Sequence, residues 1–337
     1  MNAKLMRMNH LHLIIPTLLL PVQASSAVLA GLRLPSLEKL LARSRRSVLP
    51  STALETRLCE AFGVQSVAPL RALADGLAVD EGDWLCADPV ELQIQPSQVM
   101  LQPDVACSDV EAQALCTTLN AHFIDEGLRF FAPHPQRWYV QAQSMGGVVM
   151  TPLRAAAWRD VKALLPQGAD ARRWLGLSNE MQMLLHQHPV NAARQQDGKP
   201  VINSLWLWGG GRAVAAHPVF DAVGNNDALV TALARASEVA VLDDLPGLLA
   251  SRHERGLWVN AGLQEAWQRS DLYAYRARLE QLENEIAAPV WQALSTGGLH
   301  RLTLEVLADE AVRGFELTPA GCWKLWRRRQ PLTAYIQ

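Results

Sequence analysis

An apolar run that stops abruptly does most to limit what this chain can fold into. Leu11–Val22 is the longest near-continuous apolar stretch, and Pro16, Thr17 and Pro21 interrupt it. Crossing a bilayer takes about 20 apolar residues in a row, so the segment is too short to span one. It reads as a buried first strand, His10–Ile15, of the kind that a parallel sheet covers on both faces. A second reading takes Lys4 and Arg7 as the basic region of a secretory signal, with Val22-Gln23-Ala24 as its cleavage site. Against it, His10, His12 and Pro16 interrupt the required apolar core, and a start at Met6 or Met8 removes much of the basic region.

Strand and helix patterns then alternate. Helices are expected over Pro35–Arg43, Thr52–Phe62, Asp170–Gln187, Asn226–Ala236 and Tyr273–Leu294, the last with a kink at Pro289. Strands are expected over Trp138–Gln141, Val201–Trp208, Val239–Leu242, Leu257–Asn260 and Leu302–Leu307. Glu91–Leu101 alternates like a hairpin with Pro96-Ser97 in its turn, and Ser108–Glu111 is a capping box that opens a helix. This order predicts an α/β fold, a mostly parallel sheet with helices on both faces. The middle mixes a hairpin, a helix and a further strand, which suggests an α+β subdomain over 84–185 inserted into a core formed by 1–83 and 186–337.

Hydrophobic residues make up 49% of the chain, enough for a sizeable core, so disorder is excluded for most of it. Basic and acidic residues number 31 and 33, a net charge of -2 that steers the whole molecule toward neither nucleic acid nor an anionic membrane. Neither is therefore expected as a partner. The five cysteines are scattered without C-x-x-C spacing, which signals neither a zinc knuckle nor a disulfide framework and fits a reducing, cytoplasmic setting.

The richest segment is His186–Arg212, where polar groups of several kinds crowd a strand end. Gly209–Gly211 would let backbone N–H groups approach an anion, and Arg194 and Arg212 could clamp a carboxylate or phosphate. A tight turn over core tryptophans would use the same residues structurally. His186 and His188 stand two apart, which on a helix points them to different faces and excludes H-E-x-x-H chemistry. His10 and His12 share one strand face but lack an obvious third metal ligand. Asp243-Asp244 and Asp309-Glu310 lie near strand ends, where acidic pairs are commonly solvated. Trp323, Trp326 and Arg327–Arg329 mix aromatic and basic residues on what reads as a solvated terminal helix.

The string His188-Pro189-Val190-Asn191, Arg194, Gly198, Asn203 and Gly209–Arg212 resembles archaeal-type cofactor-independent phosphoglycerate mutases, which carry HPVN-x-x-R-x-x-G, an Asn before a strand, and a G-x-G-R ending. The likeness extends back through Gly82-Asp83-Trp84, the Ser108–Asn120 helix, Arg137 and Thr151-Pro152 with Asp160, and forward through Ala228–Gly247 to Glu280 and Glu283. It is also similar to uncharacterised bacterial proteins labelled RpfE-type regulatory proteins. The resemblance implies an alkaline-phosphatase-like fold and a chemistry that needs two divalent metals and a serine nucleophile. The chain departs from that chemistry. Pro16-Thr17 stands where the family has Asp-Gly, the nucleophile falls near Ala53, and Leu307-Ala308-Asp309-Glu310 replaces T-G-D-H. No histidine lies between His253 and His300 or after His300.

The expectation is a catalytically degenerate member without metal, cofactor or catalytic residues, acting in regulation or by binding. Its site would comprise Arg137, His188, Asn191, Arg194, Asn203, Gly209, Gly211 and Arg212, facing a small phosphorylated or carboxylated ligand or a protein partner. Two alternatives stand beside it. One is an active metal-dependent mutase or phosphatase with rearranged ligands drawn from His10, His12, Asp309 and Glu310; the other is an interaction scaffold with no small-molecule site.

Overall fold

The computed structural model describes residues 8–21, 24 and 28–335. Lys4, Arg7 and the Val22-Gln23 pair of the signal reading lie outside the described residues. The chain divides into two compact units, one of residues 1–63 with 217–337 and one of residues 64–216. The inserted unit is thus wider than 84–185 on both sides. The physical reason is pairing and packing: the strand over Ser204–Arg212 pairs along Asp83–Val90, and the helix over Ala68–Ala74 packs on those two strands.

The first unit begins with strand β1 (Met8–Ile14), in which Leu11 and Leu13 are buried on one face while His10 and His12 look out from the other. Helix α1 (Pro35–Arg43) follows, with Pro35 at its start and Leu37, Leu40 and Leu41 buried. Strand β2 (Arg45–Pro50) is exposed at all six positions, and helix α2 (Leu54–Phe62) ends on Gly63 in the left-handed conformation.

The second unit opens with α3 (Ala68–Ala74), followed by β3 (Asp83–Ile94) and β4 (Val99–Gln102). Leu92 pairs with Leu101 and Ile94 with Val99, the expected hairpin register. Helix α4 (Asp109–Phe123) starts at the expected capping box, with the Ser108 and Glu111 side chains each bonded to the other's backbone N–H. Strands β5 (Leu128–His134) and β6 (Arg137–Ala142), helices α5 (Ala171–His186) and α6 (Pro189–Gln196), and β7 (Ser204–Arg212) complete the frame. The sheet is antiparallel in the order β4-β3-β6-β5, with β7 paired to β3. Leu115, Leu119 and Phe123 of α4 and Trp174, Leu177 and Met181 of α5 form one apolar core with Leu85, Val140 and Leu207 of the strands.

Back in the first unit come β8 (Ala222–Gly224), α7 (Ala228–Ala236), β9 (Ala240–Leu242), α8 (Leu245–Ala250) and β10 (Arg255–Val259). Helices α9 (Gly262–Gln268), α10 (Leu272–Leu282) and α11 (Ala288–Ser295) lead to β11 (Leu299–Leu307), β12 (Ala311–Leu317) and α12 (Pro319–Cys322). The expected long helix is split by one π-helical turn at Glu283–Ala287, just ahead of Pro289. That turn places Glu283, whose carboxylate accepts the free N–H groups of Ser36 and Leu37 at the start of α1. The expected terminal helix over the tryptophans is absent: the helix stops at Cys322, Trp323, Leu325 and Trp326 stand exposed in turns, and the chain docks again only in a short 3-10 helix, Leu332–Tyr335, whose Leu332 and Tyr335 are buried.

The seven-stranded sheet has the order β9-β8-β10-β1-β11-β12-β2. The first five strands are mutually parallel, and β12 and β2 add antiparallel pairs at one edge. The fold is therefore mixed α/β with a mostly parallel central sheet. Leu11, Leu13, Trp258, Leu302, Leu304 and Phe315 face one core together with α1, α10 and α11. No helix among the described residues is long and apolar enough to cross a membrane. The backbone leaves this unit at Gly63 and re-enters at His217, where the His217 N–H donates to the Phe62 carbonyl at 2.8 Å.

Candidate functional site

In a parallel sheet the carboxyl ends of the strands are where ligand sites form. In the first unit, the face of β1 opposite the core carries His10 at the third of its seven positions and His12 at the fifth, nearer the carboxyl end. The His10 ring nitrogen lies 2.9 Å from the Thr303 hydroxyl. Burial, with His12 and Arg301 nearby, lowers its pKa from 6.5 to about 4, so it stays neutral at physiological pH. His12 Nε2 lies 3.5 Å from Glu305, and Arg57 Nε, from α2, lies 3.2 Å from the other oxygen of the same carboxylate. These are ion-pair separations without hydrogen-bond alignment, since His12 Nε2, Arg57 Nε and Glu305 Oε2 are each buried without a well-directed partner. Burial pushes the Glu305 carboxyl up, but neighbouring His12 and the charge of Arg57 outweigh it and hold the carboxyl below its usual range. Ser51, close to where the resemblance places a nucleophile, donates its hydroxyl to the Ala308 carbonyl at 2.9 Å.

A centre for two divalent cations needs several anionic or imidazole ligands converging on each ion. Here the buried carboxylate is already matched by a guanidinium. Asp309 and Glu310 lie exposed in the turn between β11 and β12, and Asp244 caps α8 by accepting the Gly247 N–H at 2.6 Å. Among the described residues, no group of three or more His, Cys, Asp or Glu side chains is placed to hold a metal. The described residues do not fit a two-metal centre. Thiol chemistry fares no better. Burial, with Glu55 and Glu60 nearby, pushes Cys59 up to about 11, and burial raises Cys86 to about 12 and Cys107 and Cys116 to about 11. None supplies a thiolate at neutral pH.

The mutase-like block lies in the second unit, and most of it is spent on structure. His188 caps α6, its Nδ1 accepting the Val190 N–H while Nε2 lies 3.0 Å from the Thr118 hydroxyl. Asn191 is buried, donating to the carbonyls of Leu185 and Ile202 and accepting the Ile202 N–H, so it locks α6 to the start of β7. Arg194, also buried, donates to the Pro200 and Ala106 carbonyls and to Glu111 at 2.9 Å. Asn203 pairs with both backbone groups of Leu92, and Arg137 makes a bidentate bond to Asp75.

The glycine run has a structural use too. Strand β7 continues through it as a bulge: Trp84 pairs with Gly211 and Cys86 with Trp208, so two residues of β7 face one of β3. Gly209 has a φ of +64°, and a Cβ there would sit 2.7 Å from Val67. Only the end of the block remains open. The Arg212 side chain is 71% exposed and touches Asp83 at 3.3 Å, and beside Gly211 the Ser66 hydroxyl is buried without a hydrogen-bond partner. The eight expected binding residues thus share one unit, but they do not converge as a set of free donors.

Sequence reasoning missed Arg57 and Glu305, which no short motif marks. It also missed the buried pair Arg71–Asp88, joined by bonds of 2.8 and 2.9 Å, with Trp208 Nε1 donating to the same carboxylate at 2.9 Å.

No family model matches the chain. A 2,3-bisphosphoglycerate-independent phosphoglycerate mutase of Methanosarcina acetivorans is 29% identical over 173 residues, 49% of this chain and 42% of that protein. A probable enzyme of the same name from Geobacter sulfurreducens is 31% identical over 87 residues, 26% of this chain and 22% of that protein. The chain therefore spans less than half the length of these curated relatives. The solved structure of the PH0037 protein from Pyrococcus horikoshii shares the fold, with a TM-score of 0.57 at 14% identity, covering 93% of this chain and 88% of that one. The homologues of this mixed α/β chain, at 29% identity over half its length, are cofactor-independent phosphoglycerate mutases of the archaeal type.

Proposed function

We propose that this chain is a catalytically silent relative of the phosphoglycerate mutases, one that binds a small phosphorylated or carboxylated ligand without moving a phosphoryl group. The observation that carries the reading is the cluster of His12, Glu305 and Arg57 on the central strands. There one carboxylate is neutralised internally by a guanidinium, where metal chemistry would need uncompensated negative charge. The scarcity of ligating side chains supports the same reading. Binding falls to the exposed end of the mutase-like block, Arg212 with Gly211 and the Ser66 hydroxyl, since Asn191 and Arg194 are committed to the frame. Occupancy, and not turnover, would then be the output, which suits a regulatory role.

The test assays purified protein, supplied with manganese, for interconversion of 3- and 2-phosphoglycerate. No conversion above background is expected. Turnover at about 1 per second or faster, an ordinary enzymatic rate, overturns the proposal.

A further inference from the structure

Two adjoining grooves on the first unit hold a concentration of positive charge that the chain's net charge of -2 conceals. The larger, about 830 Å³, is lined by Arg33, Arg43, Arg327, Arg328 and Arg329, with Glu38 as its one acidic residue. The smaller, about 560 Å³, is lined by Arg45, Arg46, Trp326, Arg327 and Arg328. Arg327, Arg328 and Gln330 belong to both, so the grooves run into each other.

Several of these arginines are anchored. Arg327 donates to the Ser44 carbonyl at 2.7 Å, Arg43 donates to the Cys322 carbonyl and lies over the Trp291 ring, and Arg46 lies 4.5 Å over the Tyr335 ring. Others are uncommitted: among the described residues the side chains of Arg33, Arg45 and Arg328 make no hydrogen bond or ion pair, although the Arg45 backbone pairs with Glu316 in the sheet. Trp326, which lines the smaller groove with them, stands 76% exposed.

We propose that these joined grooves bind single-stranded nucleic acid, with the arginines tracking the phosphate backbone and Trp326 stacking on a base. Two features favour this occupant. Joined grooves of this size exceed what one phosphate fills and suit a chain of them. Exposed aromatic rings beside guanidinium groups are the combination that single strands use, because every base offers a flat face. An anionic membrane would meet the same charge, but it offers no flat face for the tryptophan ring to stack on, and the vesicle arm of the test separates the two. An acidic polypeptide would satisfy the charge but gives the tryptophan ring no base to stack on.

The experiment measures fluorescence anisotropy of a labelled 20-nucleotide oligo-dT titrated with the full chain at low salt. Binding is expected to weaken with salt, with a log–log slope of about -0.7 for each phosphate contacted. The uncommitted, exposed arginines allow Arg45→Glu with Arg328→Glu to be made without disturbing the core, and circular dichroism verifies that the variants fold. This double variant is expected to lose at least about tenfold in affinity, and Trp326→Ala about tenfold, as for the loss of one stacked base. The proposal is overturned if oligo-dT fails to bind, or if the folded variants bind it as wild type does. It is also overturned if poly-glutamate displaces it at equal charge, or if phosphatidylserine vesicles capture the wild type while oligo-dT does not.

Discussion

The guanidinium of Arg57, one turn into α2, lies 3.2 Å from the carboxylate of Glu305 on the central strand β11. Both side chains are largely buried; Arg57 also donates to the exposed Glu60 at 2.7 Å, whereas the other cationic neighbour of Glu305 is the His12 ring at 3.5 Å. Arg57→Met is expected to cost about 3 kcal/mol at neutral pH, because a buried carboxylate then faces His12 alone. The sign with pH follows from the lowered pKa of Glu305: its contribution is complete above 4.5 and is lost as the pH falls through the lower folded value. The gap between wild type and variant should therefore narrow in acid. Urea denaturation at both pH values checks this, and a variant as stable as wild type at pH 7 refutes it.

His10 is held neutral, with a folded pKa of about 4 against 6.5. A histidine depressed in this way stabilises the fold fully above 6.5, and that stability drains away between 6.5 and about 4 as the unfolded chain takes up the proton. His10→Gln retains a hydrogen-bond partner for Thr303 but cannot titrate. Its melting temperature should vary less than wild type's across this window. Equal slopes in the two proteins would show that His10 is not the titrating group.

In the second unit, Arg71 is clasped by Asp88 and lies 5.3 Å from the Tyr139 ring and 5.4 Å from the Trp208 ring. Burial opposes its charge, but Asp88 more than compensates and raises its pKa well above the usual value. Arg71→Met or Asp88→Leu alone is expected to lose about 3–5 kcal/mol by stranding a buried charge. The double variant should lose less than the sum, with a coupling of about 2 kcal/mol. Strict additivity in a denaturation cycle would remove the pair from the account of this core.

Arg194 and Arg212 come from the same recognisable string yet should respond in opposite ways. Arg194→Ala removes three anchoring bonds, at a cost of about 2–4 kcal/mol in stability, while Glu111 keeps its bonds to Ser108. Arg212→Ala, on a largely exposed side chain, should leave stability within about 0.5 kcal/mol of wild type. It should instead abolish any thermal shift that 3-phosphoglycerate produces. A shift that survives Arg212→Ala places the ligand elsewhere.

Local patterns are legible in the sequence itself. The capping box at Ser108, the proline-led helix Pro35–Arg43 and the alternation across Glu91–Leu101 each act over a few residues, and each forms as written. Strand β2 escaped notice because Arg45–Pro50 has no buried face to impose a period. Strand β7 was expected to stop before Gly209, but the bulge opposite Leu85 carries it to Arg212. The mutase-like block was legible as a string and not as a site. Whether Arg194 is a free donor depends on Glu111 and Ala106, both remote in sequence, and the unit boundary depends on which partner β3 selects. Such choices are tertiary and leave no local trace.

The hydrogen bond from His217 to Phe62 closes the host unit across the point where the guest departs. With both junctions fastened side by side, everything from 64 to 216 becomes, to the parallel sheet, a single oversized loop. Lengthening a loop costs only logarithmically in entropy. Changes confined to this cassette would therefore leave the sheet beneath folding by its own rules.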